Sequence, residues 1–213
     1  MAPGGFTSLS SGGGGGGAGG EGGGRAPAPF AERATFGGIR DAELGKNGAP
    51  DYVEVYALIN FIRNESIAYA ACRTEKCNKK MQQNPGQDSW SCEKCGNTYD
   101  SPEYRYVLSL SLSDWSGATF VTAFNKEGAI ILGGRAANDV EQLRVTNPHD
   151  FQALLLACTF QTGIFRLKLK EETYGEQNTQ RVKAQIMDVR LTTDFVHENR
   201  ELVGGIKALL ARP

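Results

Sequence analysis

The chain has 213 residues and a formal net charge of -1, which suits one domain of ordinary size plus extensions and gives no overall attraction to polyanions or anionic membranes. Hydrophobic residues make up 40%, yet no apolar run approaches the roughly 18 residues that would span a bilayer. Any basic surface must therefore be local, and no membrane association is expected.

Residues 1–34 are mostly glycine, alanine, serine and proline, with Gly12 to Gly17 in an unbroken row. Such a segment buries too little apolar surface to offset the entropy of ordering it, so a disordered leader is expected there. It lacks the apolar core of a secretory signal, and no Gly-Lys-Ser/Thr follows its glycines to make a phosphate loop. From Thr35 to Pro50 the substantial apolar anchors are Phe36 and Ile39, which predicts a strap packed along a folded domain over 35–194.

Residues 52–63 are dense in β-branched and aromatic side chains, the composition of a long strand. Four of the five cysteines follow at once, Cys72 with Cys77 and Cys92 with Cys95. Pairs at this spacing bend tightly enough for both sulfurs to reach one ion, and zinc takes four thiolates tetrahedrally. Gly96-Asn97 after the second pair supplies the residue that accepts positive φ, Pro85-Gly86 marks a hairpin tip, and Trp90 offers an apolar anchor. The alternative is two disulfides, which need an oxidising compartment that nothing in the sequence directs the chain toward. Four thiolates close a metal's shell, so this insert at about 69–104 reads as a structural zinc ribbon rather than a catalytic site. His149 and His197 lie far from it and read as structural, and Cys158 sits in an apolar run as a small buried hydrophobe.

After the ribbon, Tyr106, Leu108, Leu110 and Leu112 alternate with Val107, Ser109, Ser111 and Ser113, which predicts a strand with one buried face. A turn at Asp114 to Gly117 leads into a third strand over 119–124. Residues 126–157 carry apolar side chains at helical spacings, interrupted by Gly133-Gly134 and Asn147-Pro148. Two further strands are predicted at 162–173 and 180–192. Three strands, helices, two strands is the layout of an OB-fold, a five-stranded Greek-key barrel that binds oligonucleotides across its second and third strands and two loops. The expected fold is therefore mainly β: a five-stranded OB-fold barrel with an inserted four-cysteine zinc ribbon and a C-terminal helix over 195–213.

Tyr69 to Lys80, Cys92 to Cys95, Phe120 to Phe124 and Ile131 to Gly133 together resemble the C-terminal DNA-binding domain of the replication protein A large subunit. The resemblance runs from about Thr35 to the end. A zinc ribbon between strands one and two of an OB-fold is far more specific than either feature alone. It implies a nuclear heterotrimer, with middle and small subunits, that coats single-stranded DNA in replication, repair and recombination. Two departures stand out. The family has tryptophan at the position of Phe120, and its large subunit carries further OB domains upstream, where this chain has its glycine-rich leader.

Single strands are held by aromatic rings that stack on bases and by cations that follow the phosphates. Period 2 places Phe120 and Phe124 on one strand face, and Tyr174 falls at the last strand-to-strand turn. Arg166, Lys168 and Lys170 alternate with Phe165, Leu167 and Leu169, a cationic rail opposite an apolar face. Arg63, Lys79, Lys80 and Arg105 are further candidates for phosphate contact. In the C-terminal segment Phe195, Leu202, Val203, Ile206, Leu209 and Leu210 form an amphipathic stripe, which the resemblance assigns to the trimer core. The expected function is single-stranded DNA binding within the heterotrimer, with zinc as cofactor and no enzymatic activity. The alternative is a structural hub with little DNA contact.

Overall fold

A computed structural model describes residues 33–174, 179–192 and 195–211. Apart from Arg33 and Ala34, the glycine-rich leader lies outside the described residues. In chain order the elements are α1 (Phe36–Asp41), β1 (Asp51–Ile62), β2 (Ala68–Ala71), β3 (Gln82–Gln83), β4 (Trp90–Ser91), β5 (Thr98–Tyr99), β6 (Glu103–Asp114) and β7 (Gly117–Phe124). There follow α2 (Asn125–Ile131), α3 (Ala137–Thr146), α4 (Pro148–Ala157), β8 (Thr162–Tyr174), β9 (Thr179–Leu191) and α5 (Phe195–Leu210).

The main sheet runs β1-β8-β9-β7-β6-β2, and a further pairing of β1 with β6 closes its five long strands into a barrel. This is the OB-type layout expected from the order of elements. The chain divides into two compact units. One holds the described residues up to Leu58, Ser113–Thr119 and the described residues from Gln161 on; the other holds Ile59–Leu112 and Phe120–Phe160.

In the first unit α1 is a helix where the sequence offered only a strap. Two glycines among its six residues oppose helix formation on propensity alone, but its start is capped from three sides. Thr35 Oγ1 accepts the Gly38 N–H at 3.1 Å, Asp114 Oδ2 accepts that of Phe36 at 2.9 Å, and Ser116 Oγ accepts that of Gly37 at 2.7 Å. Three of the free N–H groups of a helix start are thereby satisfied. The Ala34 N–H bonds the Glu54 carbonyl at 2.8 Å, which ties the residue before Thr35 to β1. Farther on, Gly45 adopts φ 87° and its carbonyl accepts the Glu171 N–H at 2.8 Å. A Cβ there would lie 2.8 Å from Val182 Cγ1, so the position requires glycine.

β8 pairs antiparallel with β1, from Asp51↔Leu169 to Leu58↔Thr162, and along its whole length with β9. Phe165, Leu167 and Leu169 are buried, as their alternation requires. Between Arg166↔Asp188 and Leu167↔Ile186 the register slips past Met187, a bulge that leaves both Met187 and Asp188 exposed and returns Val189 to the core.

The second unit holds the end of β1, most of β6 and β7, the cysteine insert and three helices. Tyr106, Leu108, Leu110 and Leu112 are all buried, as their alternation predicts. β1 changes phase here, because Ile59 and Ile62 are buried while Asn60 and Phe61 between them are both exposed. Left-handed Gly133 and Gly134 separate α2 from α3. Asn147 caps α4 through its side chain, with Pro148 at the first helical position. Cys158 is buried at the end of α4, and burial pushes its thiol up.

Candidate metal cluster and nucleic-acid interface

The cysteine insert is built from two tight turns on small antiparallel pairs. β2 ends at Ala71, and the Cys72 N–H bonds the Lys79 carbonyl at 2.8 Å across the first turn, where Lys76 and Asn78 adopt left-handed φ of 61° and 49°. In the second turn the Cys92 N–H bonds Asn97 O at 3.0 Å, the Gly96 N–H bonds Cys92 O at 2.8 Å, and Gly96 takes φ 70°. β3, β4 and β5 form a three-stranded sheet beneath these turns. Met81 is buried with Cys72 and Cys92, and Trp90 and Tyr99 pack against them, so Trp90 is the anchor its position suggested.

All five cysteines are free thiols, and the sulfurs of Cys72, Cys77, Cys92 and Cys95 lie within 4.8 Å of one another. The Cys95 sulfur is 3.3 Å from Cys77, 3.4 Å from Cys92 and 3.5 Å from Cys72, and Cys77 is 3.8 Å from Cys92. Four thiolates around one tetrahedral ion at about 2.3 Å sit roughly 3.8 Å apart. The cluster fits a metal ion.

Thr74, which no spacing rule singles out, is the polar centre of this cluster. Its Oγ1 lies 3.3 Å from Cys72 Sγ and 3.6 Å from Cys95 Sγ, shares a 2.8 Å hydrogen bond with the Tyr99 hydroxyl, and accepts from Asn97 Nδ2 at 3.1 Å. The Thr74 bond outweighs burial and pulls the Cys72 thiol down to about 6. Cys95 is lowered by Thr74 too, but the sulfurs of Cys77, Cys92 and Cys72, together with burial, push it up to about 12. Four sulfurs this close share protons, and a cation at their centre would take the protons' place.

The second unit also presents aromatic rings outward. On β7 Phe120 is 53% exposed and Phe124 36%, while Val121 and Ala123 are buried. Both phenylalanines thus lie outside the core, on the single strand face that period 2 assigned them. The Arg63 guanidinium lies 4.9 Å from the centre of the Phe120 ring, a cation–π geometry. Phe61, which sequence reading missed, is exposed because of the phase change in β1. Lys79 and Lys80 are exposed beside the first turn. Arg105 is half-buried, in register with Tyr69 and 3.9 Å from Glu103.

In the first unit Arg166 and Lys168 are half-buried and Lys170 is exposed, on the face of β8 opposite its apolar side chains. Their neighbours are not uniformly cationic. Arg166 stands in register with Glu54 on β1 and Asp188 on β9, Lys168 with Tyr52 and Gln185, and Lys170 with Lys183, which pairs with Glu172 at 3.3 Å. Tyr174 ends β8, and its side chain lies outside the described residues. Along α5, Leu202 is half-buried while Val203, Ile206, Leu209 and Leu210 are exposed. The backbone of Phe195 begins this helix, and its side chain, like that of His197, lies outside the described residues.

A closed five-strand barrel with a four-cysteine module inserted between its first two long strands defines a class, the OB-folds that carry a cysteine ribbon. Residues 52–202 match the family model described as Replication factor-A C terminal domain. The chain belongs to that family. It is 36% identical over 149 residues to a 70 kDa DNA-binding subunit of replication protein A from Oryza sativa subsp. japonica, covering 68% of this chain and 22% of that protein. With a 70 kDa DNA-binding subunit of replication protein A from Arabidopsis thaliana it shares 37% over 155 residues, covering 70% of this chain and 18% of that one. The chain therefore spans about a fifth of the length of these relatives. Among solved structures it is similar to a replication protein A heterotrimer bound to ssDNA, with TM-score 0.75, 33% identity, and coverage of 83% of this chain and 40% of that one. It is also similar to yeast RPA bound to ssDNA, with TM-score 0.72, 26% identity, and coverage of 83% and 97%.

Proposed function

We propose that the chain binds single-stranded DNA as part of a replication protein A type heterotrimer, serving DNA replication, repair and recombination in the nucleus. The observation that carries this reading is the Arg63 guanidinium over the exposed ring of Phe120, with Phe124 exposed on the same strand. Bases stack on such rings without strong sequence preference, and a cation beside a ring also meets the phosphate. Tyr174, Lys79, Lys80, Arg105, Lys168 and Lys170 extend the contact set. Arg166, in register with two carboxylates, contributes least.

Zinc is the ion that Cys72, Cys77, Cys92 and Cys95 hold. When bound it cross-links the two turns, and with four sulfur ligands it keeps no open position for water. The relatives that the chain matches are DNA-binding subunits of replication protein A, which favours a binding role over a catalytic one. Residues 1–34 serve as a leader and 35–194 as the binding domain. Residues 195–213 form the assembly segment, whose exposed apolar stripe meets the middle and small subunits. That stripe, together with the matched charge around Arg166, is what favours the second reading, a structural hub with little DNA contact.

Binding of a labelled single-stranded oligonucleotide separates the two. Phe120→Ala and Phe124→Ala should each weaken binding by roughly 1 to 3 kcal/mol, and about three phosphate contacts give a log-log salt slope near -2. Affinities unchanged in both variants, or a preference for duplex, would overturn the stacking reading. Absence of binding by the unaltered chain would leave the hub.

A further inference from the structure

The other unit presents a second exposed aromatic ring, with a cation on the helix packed beside its turn. Trp115, at the tip of the turn between β6 and β7, is 89% exposed, and nothing in the barrel core accounts for it. The turn beneath it is clamped. Asp114 Oδ1 accepts from the Ser116 N–H at 2.7 Å, the Ser116 hydroxyl at 2.6 Å and the Gly117 N–H at 3.1 Å, while Asp114 Oδ2 and Ser116 Oγ hold the start of α1. A Cβ on Gly37 would lie 3.1 Å from Ser116 Cβ, so helix and turn have little room to shift. From the last turn of this helix the Arg40 guanidinium reaches to 3.9 Å of the point where a side chain on Gly117 would begin. Its partner there is Asp41 at 3.5 Å, an exposed ion pair of the kind that exchanges readily for a phosphate.

We propose that Trp115 and Arg40 form a second nucleotide platform, the indole stacking on a base of single-stranded DNA and the guanidinium meeting a backbone phosphate. The inference rests on the single-stranded DNA reading above and adds a place of contact to it. An indole has only two side-chain torsions, and the turn that carries it is fixed, so little conformational entropy is lost when a base covers it, the property that makes a stacking surface effective. The helix that carries the cation is itself capped by the turn that carries the ring, so the two are positioned as one piece.

The chain has two tryptophans, and Trp90 is half-buried against the cysteine cluster, so fluorescence reads this site directly. An oligodeoxythymidylate added to the full chain should quench tryptophan emission and shield Trp115 from iodide, a measurement that needs no variant. Trp115→Phe should lose most of the quench while still binding. Trp115→Ala should weaken binding roughly 5- to 150-fold, and Arg40→Ala should flatten the log-log salt slope by about 0.7. Unchanged thermal midpoints in these surface variants would confirm that the fold is intact. If the oligonucleotide binds while iodide access is unchanged and Trp115→Ala binds like the parent, this platform is refuted and the Phe120 reading stands. If the unaltered chain binds no oligonucleotide, both fall together.

Discussion

Replacing Gly128 by alanine sets two opposing effects against each other at one atom. Within a helix, alanine is favoured over glycine by about 1 kcal/mol, so propensity alone predicts a stabilised α2. Packing predicts the reverse. A Cβ built on Gly128 would lie 2.7 Å from Tyr106 Cβ, 3.0 Å from Cγ and 3.2 Å from Cδ2, whereas carbon atoms in contact prefer about 3.5–4.0 Å. Every side chain but glycine has a Cβ, so no rotamer of Tyr106 relieves the overlap, and helix and strand must separate. That movement strains the bonds that tie them: the Tyr106 N–H to Asn125 Oδ1 at 3.1 Å and the Tyr106 hydroxyl to the Arg135 carbonyl at 3.0 Å. Overpacking costs about 1–3 kcal/mol, and one weakened hydrogen bond adds about 1 kcal/mol. Net of propensity, Gly128→Ala should destabilise by roughly 1–3 kcal/mol, read as a lower urea midpoint with unchanged m. Gly204→Ala in α5 is the control, because open space surrounds that position; there the propensity gain should stand unopposed. An unchanged or raised midpoint for Gly128→Ala would refute the packing argument.

Cys92→Ser should abolish stoichiometric zinc while Cys158→Ser keeps it, measured by elemental analysis of protein purified without chelator; full occupancy in Cys92→Ser would overturn the ligand set. Burial raises the Asp114 carboxyl, but the Ser116 hydroxyl and the N–H groups of Phe36, Ser116 and Gly117 outweigh it and hold the carboxyl below its usual range. A depressed folded pKa contributes stability above the unfolded value near 3.9 that is lost as pH falls through the folded one, so Asp114→Asn should flatten the melting-temperature profile below about pH 4. A parallel profile in the variant would show that the carboxylate is not the titrating group. A chain ending at Thr193 should keep its zinc and some affinity for single strands but no longer co-purify with middle and small subunits; undiminished co-purification would place assembly elsewhere.

Much of the barrel was legible because its apolar side chains alternate along the strands. Tyr106, Leu108, Leu110 and Leu112 are all buried, with Ser111 the one residue between them that is buried too, and Phe165, Leu167 and Leu169 repeat the alternation. α1 was not legible, because its start is held by Asp114 and Ser116, far along the chain, while its own glycines argue against it. Period 2 gave the outward face of Arg166, but only the register reveals Glu54 and Asp188 beside it, and the slip at Met187 follows no pattern in composition. Cysteine spacing located the four thiols that the fold brings together. Thr74 stayed hidden, since a single hydroxyl in a turn carries no periodic signal until its partners are known.

The carbonyl of Gly45 has a significance beyond its one hydrogen bond. β1 begins opposite Leu169, so β8 runs on past it with main-chain groups pointing sideways. An open strand border of this kind is a template on which a strand from another molecule can lay itself down, the first step toward linear aggregates. By taking the Glu171 N–H, Gly45 occupies the next position along that border with a loop that cannot be extended as a strand. The segment following α1 thus acts as a guard against unwanted self-association, and it is built around the one residue type that fits between Leu169 and Val182.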